Sequence, residues 1–281
     1  MTGLDLRPLS LGDILDRTFS LYRRHFLLFM GITGIPQLLV LALSLSQTAL
    51  QAAIPRAQED VALTLAYLTL YIPVAVVAYL FSQGGAIFAV SDLYLGRTTT
   101  IAESLRKVWE ELGSLLGVII LNGIAVLAGF ICLIIPGIYL ACRLLVCVPA
   151  ALIEKRGPRD SLSRSFRLTR DSAGRAFVIL LLYCALVYGA ILLLALPFSV
   201  LLGVSAARGD ANTATAHVLL ALTQVGSSVA SILVTPILLI ATSVFYYDLR
   251  VRKEAFDLQF MMDPNPQKVP RSSGDIPSIL S

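Results

Sequence analysis

Asp160-Ser161-Leu162-Ser163-Arg164-Ser165-Phe166 is one of three copies of a short pattern from which the rest of the chain can be read. The others are Asp13-Ile14-Leu15-Asp16-Arg17-Thr18-Phe19 and Glu103-Ser104-Leu105-Arg106-Lys107-Val108-Trp109. All run acid, x, Leu, x, base, x, aromatic. Three residues ahead of each acid stands a helix-starting residue: Ser10, Thr100, and Gly157 with Pro158 behind it. Ser or Thr followed three positions on by a carboxylate is a capping arrangement, and Gly then Pro suits a helix entry. On a helix the acid and base are i,i+4 neighbours, as are the Leu and the aromatic, so each copy predicts a salt-bridged strip beside an apolar one. A pattern this degenerate also arises by chance in a Leu-rich chain. The shared helix start and the shared place before a long apolar run favour a threefold repeat.

Composition sets the solvent. Of 281 residues, 57% are hydrophobic and only 14% charged, with a mean hydropathy of +0.80, which excludes an ordinary soluble globular domain. Charge is expelled from long apolar stretches, as a hydrocarbon medium demands. The first apolar run starts near Phe26, behind a capped segment, and is too long for the core of a secretory signal, so a retained transmembrane helix is expected. Cys132, Cys142, Cys147 and Cys184 all fall inside apolar runs, and none of the spacings is that of a zinc site. They read as small thiols within a membrane protein.

In order, the chain predicts a charged helix over about 10–25, a span over 26–48, a polar loop at 51–60 and a second apolar run over 61–95. That run exceeds the ~20 residues needed to cross a bilayer core, so it must tilt, bend near Pro73, loosen at Gly84-Gly85 or project beyond the membrane. A second charged helix follows over 100–111, then spans over 113–134 and 138–153 joined by a tight Pro136-Gly137 turn. The third charged helix, 158–171, precedes spans over 175–203 and 213–247. An acid closes each pair of spans: Asp92, Glu154 and Asp248. The expected architecture is therefore all-α and polytopic. Six transmembrane helices form three hairpins, each preceded by an amphipathic interfacial helix, with units near 10–97, 100–156 and 157–253. Residues 254–281, polar and containing four prolines, are expected to form a largely disordered tail.

Nineteen of the 22 Lys and Arg residues lie in the segments on one side of these spans, two (Arg56 and Arg208) on the other, and Arg143 falls within a span. The positive-inside rule then predicts both termini in the cytoplasm.

Two features carry candidate chemistry. Between Lys155 and Arg175 stand seven basic residues against Asp160 and Asp171. A basic helix beside a membrane is attracted to anionic headgroups, by about 1 kcal/mol per Lys or Arg near the surface. Arg159, Arg164, Arg167, Arg170 and Arg175 are thus candidate lipid- or anion-binding residues, although such charges also serve simply to fix topology. Arg143 is the other. An intramembrane Arg faces a partner or a watery cavity, and no Asp or Glu is expected at its depth. Snorkelling, pairing with Gln83, Asn122 or backbone carbonyls near the Pro and Gly breaks, and contact with an anion all remain open for it. No metalloprotease, serine-hydrolase, nucleotide-loop or dinucleotide signature is present, and His25 and His217 fall near opposite membrane faces. No catalytic residue, metal or cofactor is assigned. The basic residues face a bilayer without a recognition motif, so nucleic acid is not an expected partner.

Four stretches carry a resemblance: Arg7-Pro-Leu-Ser-Leu-Gly-Asp-Ile-Leu-Asp-Arg-Thr-Phe-Ser-Leu-Tyr-Arg-Arg-His-Phe26, Gly85-Ala-Ile-Phe-Ala-Val-Ser-Asp-Leu-Tyr-Leu-Gly-Arg97, Ile135-Pro-Gly-Ile-Tyr-Leu-Ala-Cys-Arg143, and Phe245-Tyr-Tyr-Asp-Leu-Arg-Val-Arg-Lys-Glu-Ala-Phe-Asp-Leu258. Together they resemble the bacterial family named for the membrane domain of glycerophosphoryl diester phosphodiesterase, over about residues 5–260. In the family's namesake arrangement that domain precedes a barrel phosphodiesterase of roughly 250 residues. Only 28 residues follow Lys253, so the catalytic part is expected to be absent. The resemblance implies a multi-span domain of the bacterial inner membrane concerned with lipid-linked substrates or partner proteins. The leading expectation is a non-enzymatic module that binds anionic lipid or anchors a partner protein. The alternative is a transporter or channel for an anionic or amphiphilic solute, with Arg143 lining the path.

Overall fold

The structure, a computed structural model, describes residues 9–54, 61–209 and 213–254, and every regular element among them is an α-helix. In chain order these are α1 (Leu11–Arg24), α2 (Phe26–Ala53), α3 (Val61–Tyr94), α4 (Ile101–Cys132) and α5 (Ile134–Arg143). They are followed by α6 (Cys147–Glu154), α7 (Pro158–Leu168), α8 (Ala173–Leu194), α9 (Leu196–Ala207) and α10 (Ala214–Glu254). Six stretches are long and apolar enough to cross a membrane: α2, α3, α4, the α5–α6 pair, α8 and α10. The expected tail beyond Glu254 lies outside the described residues.

Both predicted capping boxes form. The Ser10 side chain accepts from the Asp13 amide while Asp13 reaches back to the Ser10 amide, and Thr100 and Glu103 do the same. Gly157 starts α7 with Pro158 in its first turn. The second charged segment, however, is not a separate helix. α4 runs without interruption from Ile101 to Cys132, because a lone Gly113 lowers helix stability by only ~1 kcal/mol and no proline interrupts the run.

The other breaks also fall where local chemistry puts them. The α4–α5 turn is made at Leu133, whose backbone is extended (φ −175°, ψ 160°), and not at Pro136-Gly137. Pro136 stands in the first turn of α5, where its missing N–H removes no intrahelical bond. The fourth span, expected to be continuous, is divided at Leu144–Val146, and the fifth at Ala195 with Pro197 just inside α9. By contrast α3 is unbroken through Pro73 and through Gly84-Gly85. The two glycines permit close packing there: a Cβ on Gly84 would stand 2.8 Å from Val108 of α4, and one on Gly85 2.8 Å from Ile32 of α2.

The core is organised on α10. Every residue from Leu239 to Val251 is buried, on all faces of the helix, with α1, α2, α3 and α8 packed around it. A helix enclosed in this way must satisfy whatever polar groups it carries internally. This one carries Tyr246, Tyr247, Asp248 and Arg250 at its charged end. Those residues position the site.

Candidate functional site

Three buried carboxylates collect the charges at this end, and they are the acids that close the paired spans. Asp248 on α10, whose side chain has no exposure, accepts the Leu9 amide at 2.7 Å, Arg175 Nη2 at 2.6 Å, and Arg252 Nε at 3.1 Å on both oxygens. Arg175 and Arg252 also donate to the Leu9 carbonyl, so the chain just ahead of α1 is clamped onto the end of α10. The Arg175 guanidinium lies over the Phe245 ring, 5.4 Å from its centre.

Glu154, at the end of α6, is the second hub. Arg164 donates to it from Nε (2.9 and 3.0 Å) and Nη2 (2.8 Å), and Tyr246 donates its hydroxyl at 2.7 Å. The same guanidinium reaches Glu254 through Nη1 and, at 2.7 Å, Nη2. Arg250 joins Glu254 at 3.3 Å, and Arg156 closes on Glu154 from the outer side. Burial works against the charged form of Arg164, but hydrogen bonds to Glu254 and Glu154 outweigh it and raise its pKa. The guanidinium is thus fixed as a cation between two acids from different helices. Desolvated pairs of this kind hold only with such complete hydrogen bonding.

The third hub is Asp92 near the end of α3. Lys107 Nζ of α4 lies 2.5 Å from it. Beside it Tyr94 stacks on Tyr247 at 4.6 Å between ring centres, Ser91 and Tyr247 share a hydrogen bond of 2.8 Å, and Arg17 donates to the Tyr94 hydroxyl at 3.0 Å.

These contacts correct the expected salt-bridged strip. In the second and third copies of the pattern, the base does not turn to its own acid four residues back. Lys107 reaches Asp92, and Arg164 reaches Glu154, the acids that end the preceding pair of spans. Glu103 is engaged at its own helix start.

Arg143 ends α5, directly before the break in the fourth span. It donates from Nη2 to Phe166 O at 2.7 Å and from Nη1 to Arg170 O at 3.2 Å, and its guanidinium lies 5.2 and 5.7 Å from the rings of Phe166 and Tyr139. In return Ser165 Oγ (2.8 Å) and Thr169 Oγ1 (2.9 Å) donate to Arg143 O. Two helix C-termini therefore satisfy each other's orphan carbonyls. Of the partners left open by the sequence, backbone carbonyls are the ones found, although they belong to the end of α7 and the turn after it and not to the Pro and Gly breaks. Neither Gln83 nor Asn122 is involved, and Asn122 Oδ1 is itself buried without a hydrogen bond.

The six candidate residues therefore separate. Arg143, Arg164 and Arg175 are built into the packing, whereas Arg159, Arg167 and Arg170 are exposed and carry no ion pair to a described residue. Sequence reasoning noted the three closing acids but assigned them no partners, and it counted Arg250 and Arg252 only toward topology. Their spacing of two on α10, beside buried tyrosines, was the available signal. Among the described residues no cluster of His, Cys, Asp and Glu could hold a metal ion. Comparison with protein-family models, with curated proteins and with solved structures gives no match. The fold defines the class: an all-α chain with six helices able to span a membrane.

Proposed function

We propose that the protein is a non-enzymatic, multi-pass module of the bacterial inner membrane. Both termini are cytoplasmic, and its charged end associates with anionic lipid headgroups. The observation that carries this reading is the separation of the arginines. Buried carboxylates and carbonyls engage Arg143, Arg164 and Arg175, leaving Arg159, Arg167 and Arg170 exposed on and just beyond α7. The three related hairpin units and the interfacial placement of the charged helices belong to this proposal, as does kinship with the phosphodiesterase membrane-domain family. In this reading Arg143 holds α5 to α7 and does not line a path, which favours the module over the transporter.

The test is lipid retention. The full chain, purified in mild detergent from vesicles containing phosphatidylglycerol and phosphatidylcholine, is compared with a double variant, Arg167→Gln with Arg170→Gln. Two exposed arginines near a headgroup, at about 1 kcal/mol each, predict a loss of about thirtyfold in the retained anionic-to-neutral ratio. An unchanged ratio would reject lipid binding by this face and leave anchoring of an acidic protein surface as its role.

A further inference from the structure

A second lipid contact is suggested by a groove that does not involve the buried hubs. It runs between α4 and α7 with a volume of about 490 Å³, lined by Gly117, Ile120 and Ile124 of α4 and by Pro158, Arg159 and Asp160 of α7. Gly117 makes it possible: a Cβ there would stand 2.9 Å from Pro158 Cγ, so only glycine lets the first turn of α7 sit against the span. Beyond that contact the walls lie bare, with Ile120 51% and Ile124 58% exposed. The last charged residue of α4 is Glu111. At 1.5 Å per residue, Gly117 and Ile124 lie roughly 9 and 20 Å further along the helix, inside its apolar stretch. A groove at that depth, open at a charged rim, fits an amphiphile with its chain inside and its headgroup at α7.

The rim states which headgroup. Arg156 is engaged by Glu154, and Lys155 lies 4.0 Å from Glu111. Two charges remain at the mouth, one of each sign: Arg159 and Asp160 line the groove side by side and neither forms an ion pair with a described residue. A headgroup bearing only negative charge meets Asp160 unfavourably. A quaternary ammonium offers Asp160 no N–H donor. A phosphate carrying a primary ammonium meets both residues with the matching sign.

We propose that this groove holds one phospholipid of the phosphoethanolamine type, its phosphate at Arg159, its ammonium at Asp160 and one acyl chain along Ile120 and Ile124. The inference goes beyond the general attraction of the basic face, and it is tested at different residues with a different lipid comparison.

The full chain is equilibrated in vesicles of equal parts dioleoyl-phosphatidylethanolamine, -phosphatidylcholine and -phosphatidylglycerol, extracted in mild detergent, and its retained lipid counted by mass spectrometry. An exposed ion pair predicts phosphatidylethanolamine over phosphatidylcholine by about threefold. Asp160→Asn abolishes that preference with total lipid per chain held, Arg159→Gln lowers retention of all three, and Ile124→Trp fills the groove and removes about one lipid per chain. Unchanged thermal unfolding of these surface variants separates lost binding from lost folding. Equal retention of the two zwitterionic lipids by the wild type, a preference for phosphatidylethanolamine over phosphatidylcholine that survives Asp160→Asn, or a full lipid complement with Ile124→Trp would each overturn the proposal.

Discussion

The last turns of α10 and the first half of α3 both belong to helices long and apolar enough to cross a membrane, yet they are stabilised by opposite means. Residues 239–251 of α10 are buried on every face and end in Tyr246, Tyr247, Asp248 and Arg250, each with a defined partner. Residues 61–77 of α3 have no buried member at all, and Leu65, Leu70 and Val61 are bare. Two thirds of the most apolar stretch of α10 is buried against 6% of that of α3. In hydrocarbon the exposed half of α3 is at no disadvantage, since lipid tails are as apolar as its own side chains. Helix association there gains little from hydrophobicity. What holds this molecule together is concentrated at one end, in desolvated charges and reciprocal helix caps.

The largest effect expected from that contrast is at Glu154. Glu154→Ala leaves Arg164, Tyr246 and Arg250 facing a buried gap, and removing one member of a buried pair is worth about 3–5 kcal/mol. Leu65→Ala in the bare half of α3 is expected to stay within about 0.5 kcal/mol. Thermal unfolding in one detergent compares them directly, and similar losses at the two sites would break the comparison. Next in size is Arg143→Leu, which leaves Phe166 O and Arg170 O without their charged donor and is expected to destabilise by about 2 kcal/mol. The comparison sharpens if the damage is local. Hydrogen exchange should rise at the amides around 165–172 and not in α3. Arg143→Lys should restore only part of the protection, because an ammonium cannot span two carbonyls and lie between two rings.

Much of this end was legible in the sequence, and the limits were physical. Ser10-Asp13 and Thr100-Glu103 announce their helices because a capping box is local chemistry, complete within four residues. The apolar runs give the six spans for a similar reason, since length and hydropathy are properties of a segment. The partner of a base is not local. On an isolated helix Lys107 belongs with Glu103, yet packing offers it Asp92, which is buried and holds it more strongly than an exposed neighbour would. Arg143 was singled out correctly as demanding a partner. What could not be read was that the span divides one residue later, which frees carbonyls and brings the end of α7 within reach. The division at Leu144–Val146 contains neither Pro nor Gly, and its one local signal is Pro149 in the first turn of α6, a position a proline also takes inside a continuous span.

The smallest effect is expected where a carboxylate at the same end remains in water. Asp171, in the turn between α7 and α8, lies 3.0 Å from Lys253, and that hydrogen bond, then the charge behind it, lower its pKa below the ordinary value. The folded state therefore binds this proton less readily than the unfolded one. The resulting stabilisation is present above the ordinary carboxylate pKa of about 3.9 and is lost as pH falls through the lower folded value. But the side chain is open to solvent, where such pairs are screened. Asp171→Asn should leave unfolding at pH 7 unchanged and leave the acid limb of the stability profile unmoved. Glu154, with 5% of its side chain exposed, has no such screening. If Asp171→Asn destabilised the protein as much as Glu154→Ala, burial would not be what separates the two carboxylates, and the account of this end as held by desolvated pairs would have to be given up.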